Sequence, residues 1–450
     1  MVRLHDTICA IATGAGGGIG IVRLSGPEAG EILAKLLRPW PAVPQSHRLY
    51  HAQACDPVSG AHLDDVLGCF MRGPRSYTGE DVGEVHGHGG GVGLGRLLRA
   101  AARAGARVAE PGEFTRRAFL NGRVDLSEAE AVAEVIAART ERALNVAQAQ
   151  LRGAVREVVA TARGELIEVL AELEVRVDFP DERLDFLPVR ALAERLEDLG
   201  ARMQALAETY TRGRLVRGGL DVALVGRANA GKSSLLNALV GEERALVDAA
   251  PGTTRDFVEA EIEVDGLRVL LVDTAGEREE GEAVERRGVE LGRRRRRQAD
   301  VVVVVVDGVE GYGTLEASLM GEEPGRQKLL VWNKSDQRAE VVGVPANFRV
   351  VATSAVSGEG IAALKGALRE LADDSAADGE VVVTGARQHE ALREAGDALA
   401  AGALLLRAGE PMELVAVDVQ IALHRLGQVT GETVDSAVLD EIFARFCVGK

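Results

Sequence analysis

Hydrophobic positions change period along this chain, and each change predicts a boundary. Up to about residue 118, short apolar runs alternate with Gly/Pro-rich turns such as Pro39 to Pro44 and Gly87 to Gly95, the pattern of an α+β domain. From about Leu126 through Ala207 the sequence is rich in Ala, Leu, Glu and Arg at helical spacing, broken around Phe179-Pro180 and Pro188. Apolar runs of strand length then return at Asp221–Val225, Val269–Val272, Val301–Val306, Lys328–Trp332 and Phe348–Ala352, with a helical run at Ser234–Leu239. Six successive valines at Val301–Val306 read as a central strand buried on both faces of a parallel sheet. The acidic stretch Asp373 to Glu380 reads as a linker, after which Ala386 to Cys447 is helical again. The expected division is 1–118, 119–217, 218–375 and 376–450, with the two helical segments forming one domain into which the α/β domain is inserted.

Candidate chemistry concentrates in that α/β segment. Gly226-Arg-Ala-Asn-Ala-Gly231-Lys232-Ser233 stands between a strand and a helix, so backbone N–H groups and the helix dipole converge on one point where a polyphosphate can sit. Asn229, Ala230, Gly231, Lys232, Ser233 and Ser234 form the cradle, Lys232 serving the β/γ-phosphates and Ser233 Mg²⁺. Asp273-Thr274-Ala275-Gly276 ends the next strand, its carboxylate for the Mg²⁺ water shell and Gly276 N–H for the γ-phosphate. Between them Gly252, Thr253 and Thr254 offer a hydroxyl to Mg²⁺ and an N–H to the γ-phosphate. Asn333-Lys334-Ser335-Asp336 presents a carboxylate to guanine N1–H and its amine; adenine would leave that acceptor unpaired, at about 1–3 kcal/mol or more. Ser354 and Ala355 stand where backbone N–H groups meet the base carbonyl. Five matches in register identify a guanine-nucleotide hydrolase.

Glu277 occupies the position where Ras-like hydrolases carry a water-orienting glutamine, so another group must position the water. The run Glu277 to Glu290 holds six Glu and three Arg, most of which read as a solvated helix face, as does the basic run Arg293 to Arg297.

Composition limits the alternatives. At 450 residues and 46% hydrophobic the chain holds several cores, since single cores stop growing at roughly 250–300 residues. Its start lacks an apolar signal region, and Val301–Val306 is far short of the roughly 20 residues of a membrane span, so a cytoplasmic enzyme is expected. Cys9, Cys55, Cys69 and Cys447 show no CxxC pairing; the first three read as small buried apolar residues. Thr13 to Gly20 contains no register of GxGxxG and reads as a turn. His86 and His88, two apart on one strand face, lack a third metal ligand at convincing spacing.

With these motifs in place, the chain resembles the MnmE (TrmE) family of tRNA-modification GTPases over nearly its whole length. The resemblance is carried outside the nucleotide site by Asp6-Thr-Ile, Gly20-Ile-Val-Arg23-Leu-Ser-Gly26, Ser76-Tyr-Thr-Gly-Glu80-Asp81, Gly87-His-Gly-Gly90, Pro111-Gly-Glu-Phe-Thr115, Arg117-Ala-Phe-Leu-Asn-Gly122, Asp178-Phe-Pro-Asp181 and Phe446-Cys-Val-Gly-Lys450. It implies a multidomain α/β protein: an α+β N-terminal folate-binding-type domain through which the chain forms a homodimer, a helical domain, and an inserted Ras-like P-loop GTPase domain. It also implies a K⁺ ion held by Asn229, Asp248, Ala250 and Thr253, with Glu285 orienting the water. A 5-formyl-tetrahydrofolate-type one-carbon donor is implied at Arg23, Glu80 and Arg123, with Lys450 reaching the same pocket and Cys447 as a candidate catalytic thiol. Arg123 departs from the lysine often seen at that position.

A net charge of −16 makes the chain a poor autonomous RNA binder, because counterion release needs clustered Lys/Arg. The resemblance implies the remedy: the FAD-dependent partner MnmG (GidA), with which such GTPases place an aminomethyl- or carboxymethylaminomethyl-type group on C5 of the tRNA wobble uridine. The alternatives are a GTPase switch or ribosome-assembly factor without modification chemistry, and a homologue without turnover. Phe446 to Lys450 weighs against the first, the intact Lys232, Ser233, Thr254, Asp273 and Asp336 against the second.

Overall fold

The computed structural model describes residues 5–14, 16–179, 186–241, 258–273, 297–321, 327–338, 340–372 and 381–449. These fall into two compact units: 1–133 with 150–197 and 397–450, and 134–149 with 198–396.

The first unit is built on a seven-stranded sheet in the order β3-β4-β5-β6-β2-β1-β7, where β1 is Ile8–Ile11, β2 Ile19–Ser25, β3 Leu37–Arg38, β4 Arg48–Cys55, β5 His62–Met71, β6 Val82–His88 and β7 Arg107–Val108. Alternation along the strands sends Val22, Leu24, Val66, Phe70 and Val85 into a core closed by Ile32, Leu33, Leu94 and Leu97 from helices Ala29–Leu36 and Gly91–Ala104. The intervening residues Arg23, Cys69 and Glu84 fall in register on the opposite face. Helices Ala154–Asp178 and Met412–Thr430 belong to the same unit. A smaller core of Leu126, Ala129, Leu439, Phe443 and Phe446, with Phe119 packed on it, joins the start of helix Leu126–Ala137 to the end of the chain.

The second unit contains a six-stranded sheet, β13-β12-β11-β8-β10-β9, with β8 Leu220–Val225, β9 Val258–Val264, β10 Leu267–Asp273, β11 Val301–Asp307, β12 Gln327–Asn333 and β13 Val350–Ala352. All pairs are parallel except β9 with β10. The valine run is the central strand expected, buried throughout between β8 and β12. One strand is shorter than the apolar run suggested: Phe348 donates its N–H to Pro345 O at 3.1 Å, closing a turn that delays β13 to Val350. Beside the sheet, buried Glu134 accepts the Thr384 hydroxyl on both oxygens, at 2.9 and 2.8 Å, and pairs with Arg217 at 3.1 Å. It thereby ties the segment leading into β8 to the segment that follows the sheet domain.

Among the described residues no helix is long and apolar enough to cross a membrane.

Candidate functional site

β8 lies where the strand order reverses, with β10 on one side and β11 on the other, and parallel sheets bind ligands at the carboxyl ends of strands flanking such a point. From that end the chain turns through Gly226 (φ +144°), Asn229 (φ +66°) and Gly231 (φ +89°) into helix Lys232–Gly241. A side chain at Gly226 would strike the carbonyl of Val305, and one at Gly231 the side-chain amide of Asn333. Glycine at both is therefore a steric requirement that lets the loop pack closely on β11 and on Asn333 at positive φ, which fits a phosphate cradle. Buried Lys232 arches back, its Nζ donating to Gly226 O at 3.0 Å and Arg227 O at 2.8 Å. Ser233 and Ser234 lie exposed in the first helical turn. Exposed Asn229 stands at the tip of the loop.

Asn333, at the end of β12, joins the two halves of the site. Its Nδ2 donates to Ala230 O at 2.9 Å, while its Oδ1 accepts Ala355 N–H at 3.3 Å and the Thr353 hydroxyl at 3.4 Å. The phosphate loop and the Thr353–Ala355 segment, far apart in sequence, are thus held by one buried amide. Lys334 adopts φ +63° and pairs with Asp307 at 2.6 Å. Burial works to raise the Asp307 carboxyl, but Lys334 and the Val309 N–H outweigh it and hold it below its ordinary value. Ser335 N–H donates to Thr353 O at 3.0 Å, and Ser354 heads a tight turn in which its hydroxyl accepts Ser357 N–H at 3.1 Å. Asp336 is left exposed beside this frame.

Asp273 ends β10 opposite Leu224 of β8, which brings its backbone to the same sheet edge. Asp248, Ala250, Gly252, Thr253, Thr254, Thr274, Ala275, Gly276, Glu277, Glu285, Arg293 to Arg296 and Lys450 lie outside the described residues. Among the described residues no group of three or more His, Cys, Asp or Glu is placed to hold a metal. His86 and His88 are taken by separate carboxylates, Glu84 at 2.8 Å and Asp64 at 2.7 Å.

The residues singled out in the first domain surround a buried ion network. Arg23 donates to Glu84 at 2.9 Å and lies 5.4 Å from the Tyr77 ring and 5.9 Å from the Phe114 ring. Glu80 accepts the Ser25 hydroxyl at 2.7 Å and pairs with Arg117 at 3.2 Å; Arg123 donates to Ser76 O at 3.1 Å. Arg117, which sequence reasoning gave no role, is completely buried and also reaches Asp6 at 2.6 Å and Glu113 at 3.1 Å. Its position three after Phe114 on the apolar face of a short helix was the available signal. Burial raises the Glu113 carboxyl, yet hydrogen bonds from Arg107, Glu110 N–H and Arg117 bring it below the usual range.

The end of the chain docks here. Val448 forms a β-bridge with Pro111, Gly112 donates its N–H to Cys447 O at 3.3 Å, and Phe446 is buried. Position 112 requires glycine, because its φ is +67° and a side chain there would press on Phe443. Cys447 itself is exposed, whereas Cys9, Cys55 and Cys69 are buried, and burial pushes the Cys9 thiol up to about 11.

Residues 7–123 match the family model for the GTP-binding protein TrmE N-terminus, and residues 126–447 that for the MnmE helical domain. The tRNA modification GTPase MnmE of Synechococcus sp. (strain JA-3-3Ab) is 45% identical over 99% of this chain and 99% of its own. That of Symbiobacterium thermophilum is 44% identical over 99% of this chain and all of its own (100%). Among solved structures, the G domain of the T. maritima FeoB iron transporter is 28% identical, covering 34% of this chain and 98% of that one, with a TM-score of 0.27.

Proposed function

The chain belongs to the MnmE (TrmE) family of tRNA modification GTPases, and on that premise we propose that its GTP hydrolysis drives modification of C5 of the wobble uridine together with an FAD-carrying MnmG-type partner. The observation that supports this beyond the family name is the seating of Phe446–Gly449 on the Pro111–Gly112 turn, within the unit that holds Arg23, Glu80 and Arg123. Phe446–Gly449 lies against the same unit as those three side chains, with the Cys447 thiol exposed, an arrangement compatible with a role beside a one-carbon donor.

In this reading the residues divide the work. Backbone N–H groups of Asn229 to Ser234 and the Lys232 ammonium bind the β/γ-phosphates, and Asp336 selects guanine. Ser233, Thr254 and Asp273 would hold Mg²⁺. Asn229, Asp248, Ala250 and Thr253 hold K⁺. Bound there, the two cations supply positive charge against that developing on the phosphates. Glu285 orients the attacking water. In the first domain Arg23, Glu80 and Arg123, with Lys450, bind the formyl-tetrahydrofolate-type donor, and two copies of the chain pair through that domain.

Cys447→Ser tests the chemical half. The variant keeps K⁺-dependent GTP hydrolysis but loses wobble-uridine modification in cells, read by mass spectrometry of tRNA nucleosides. Normal modified-nucleoside levels would reject a required thiol and leave Phe446–Gly449 a packing element.

A further inference from the structure

The second residue of the phosphate loop is anchored from outside the loop. Arg227 directs its guanidinium to Glu316 in helix Thr314–Gly321, with Nε at 2.8 Å from Oε1 and Nη2 at 3.0 Å from Oε2. This is a bidentate fork, the geometry in which an Arg–carboxylate pair is most rigid. Glu316 is only 1% exposed, and its Oε2 also accepts the N–H of Gly313 at 3.0 Å, the residue before the helix, so one carboxylate caps a helix and grips the loop. A side chain at Gly313 would run into the Arg227 guanidinium, which leaves the fork no room to shift toward that turn. A second carboxylate, Glu310, lies 3.4 Å from Arg227 Nη1 on the exposed side.

The main chain of the same arginine carries the loop's other constraint. Arg227 O accepts Lys232 Nζ at 2.8 Å and Ala230 N–H at 3.3 Å. Side chain and carbonyl together make Arg227 a strut between a buried carboxylate under β11 and the ammonium that serves the β/γ-phosphates. Neither residue points at the phosphate position, so neither is a catalytic residue.

We propose that Glu316 and Arg227 are positioning residues for nucleotide binding: the fork sets where the Arg227 carbonyl stands, and through it the resting place of Lys232 and the curvature of the loop. The inference rests on the GTPase activity and is independent of the wobble-uridine chemistry. Its prediction is a split between affinity and turnover. Preorganisation of the loop is lost when the fork is broken, while the groups that touch the transferring phosphate remain, so nucleotide binding weakens and the bound nucleotide still turns over.

The test uses the full chain without tRNA, a fluorescent GTP analogue for affinity, and phosphate release at saturating GTP for turnover. Glu316→Gln keeps the shape and a carbonyl to cap the helix, and Arg227→Lys keeps the charge but not the fork. Each is expected to raise the dissociation constant about tenfold to a hundredfold with saturated turnover within about twofold. The double variant Arg227→Met with Glu316→Leu should be no weaker a binder than Arg227→Met alone, because the two act as one unit. Unchanged affinity in both conservative variants overturns the proposal, including the case where only the melting temperature falls. So does an affinity loss in the double variant equal to the sum of the two single losses.

Discussion

Removing the Asn333 amide should loosen both halves of the nucleotide site at once, because one side chain holds Ala230 on the phosphate side and Ala355 and Thr353 on the base side. In Asn333→Ala three bonds go. The bond to Ala230 O, at 2.9 Å, carries most of the cost, since Ala230 is fully buried and its carbonyl loses a partner to which water has little access. An unsatisfied buried group costs about 1–3 kcal/mol, and the two longer bonds add about 0.5 kcal/mol each, for a total of about 2–4 kcal/mol. For a domain of this size each kcal/mol shifts melting by about 2–4 °C, so the domain should melt about 5–15 °C lower. If as little as 1.4 kcal/mol of the loss falls on the bound state, GTP binds about tenfold more weakly. Asn333→Asp should be at least as damaging, because an acceptor replaces Nδ2 opposite the Ala230 carbonyl. Calorimetry of the free protein and titration with GTP and GDP measure both effects. Melting within 2 °C of the parent chain together with unchanged affinity for both nucleotides would refute the reasoning.

Asp336→Asn should lower GTP affinity and narrow or reverse the preference over xanthosine triphosphate; equal GTP binding by parent and variant would show that Asp336 does not read the base. Glu285→Ala should abolish turnover without changing GTP affinity, and the parent chain should run faster in KCl than in matched NaCl, as phosphate release reports. Glu134→Ala should cost about 1–3 kcal/mol in urea unfolding by stripping the buried Thr384 hydroxyl and Arg217 of their shared partner. In native protein Cys447 alone should react promptly with iodoacetamide, Cys9, Cys55 and Cys69 only on unfolding. The raised Cys9 thiol favours the neutral form, so its contribution to stability is complete below pH 9 and is lost as pH climbs through about 11.

Much of this was legible in residue order because the relevant constraints are local. A six-valine run between turn signals has few alternatives to a doubly buried parallel strand, and β11 is one. Glycine, lysine and serine at their spacing need only a strand before and a helix after to make a phosphate loop, and both flanks formed. Phe348 shows the limit of such reading. Its run was apolar enough for a strand, but a hydrogen bond to Pro345, itself outside the run, claimed its N–H.

What the sequence by itself determined is therefore the strand and helix flanking the phosphate loop, the valine strand, the nucleotide chemistry and the family. The tertiary structure alone decided the partnerships of charged groups whose sequence separation is large. Arg117 with Asp6 and Glu80, Arg227 with Glu316, and Glu134 with Thr384 each join elements that no periodicity relates. The physical reason is that a charged residue in a sequence defaults to solvent, and only the packed fold shows which ones burial has forced to find a partner. The docking of Phe446–Gly449 on Pro111–Gly112 is of the same kind: a motif signals its presence locally, but its contacts with residues more than 300 positions away are set by the packed fold.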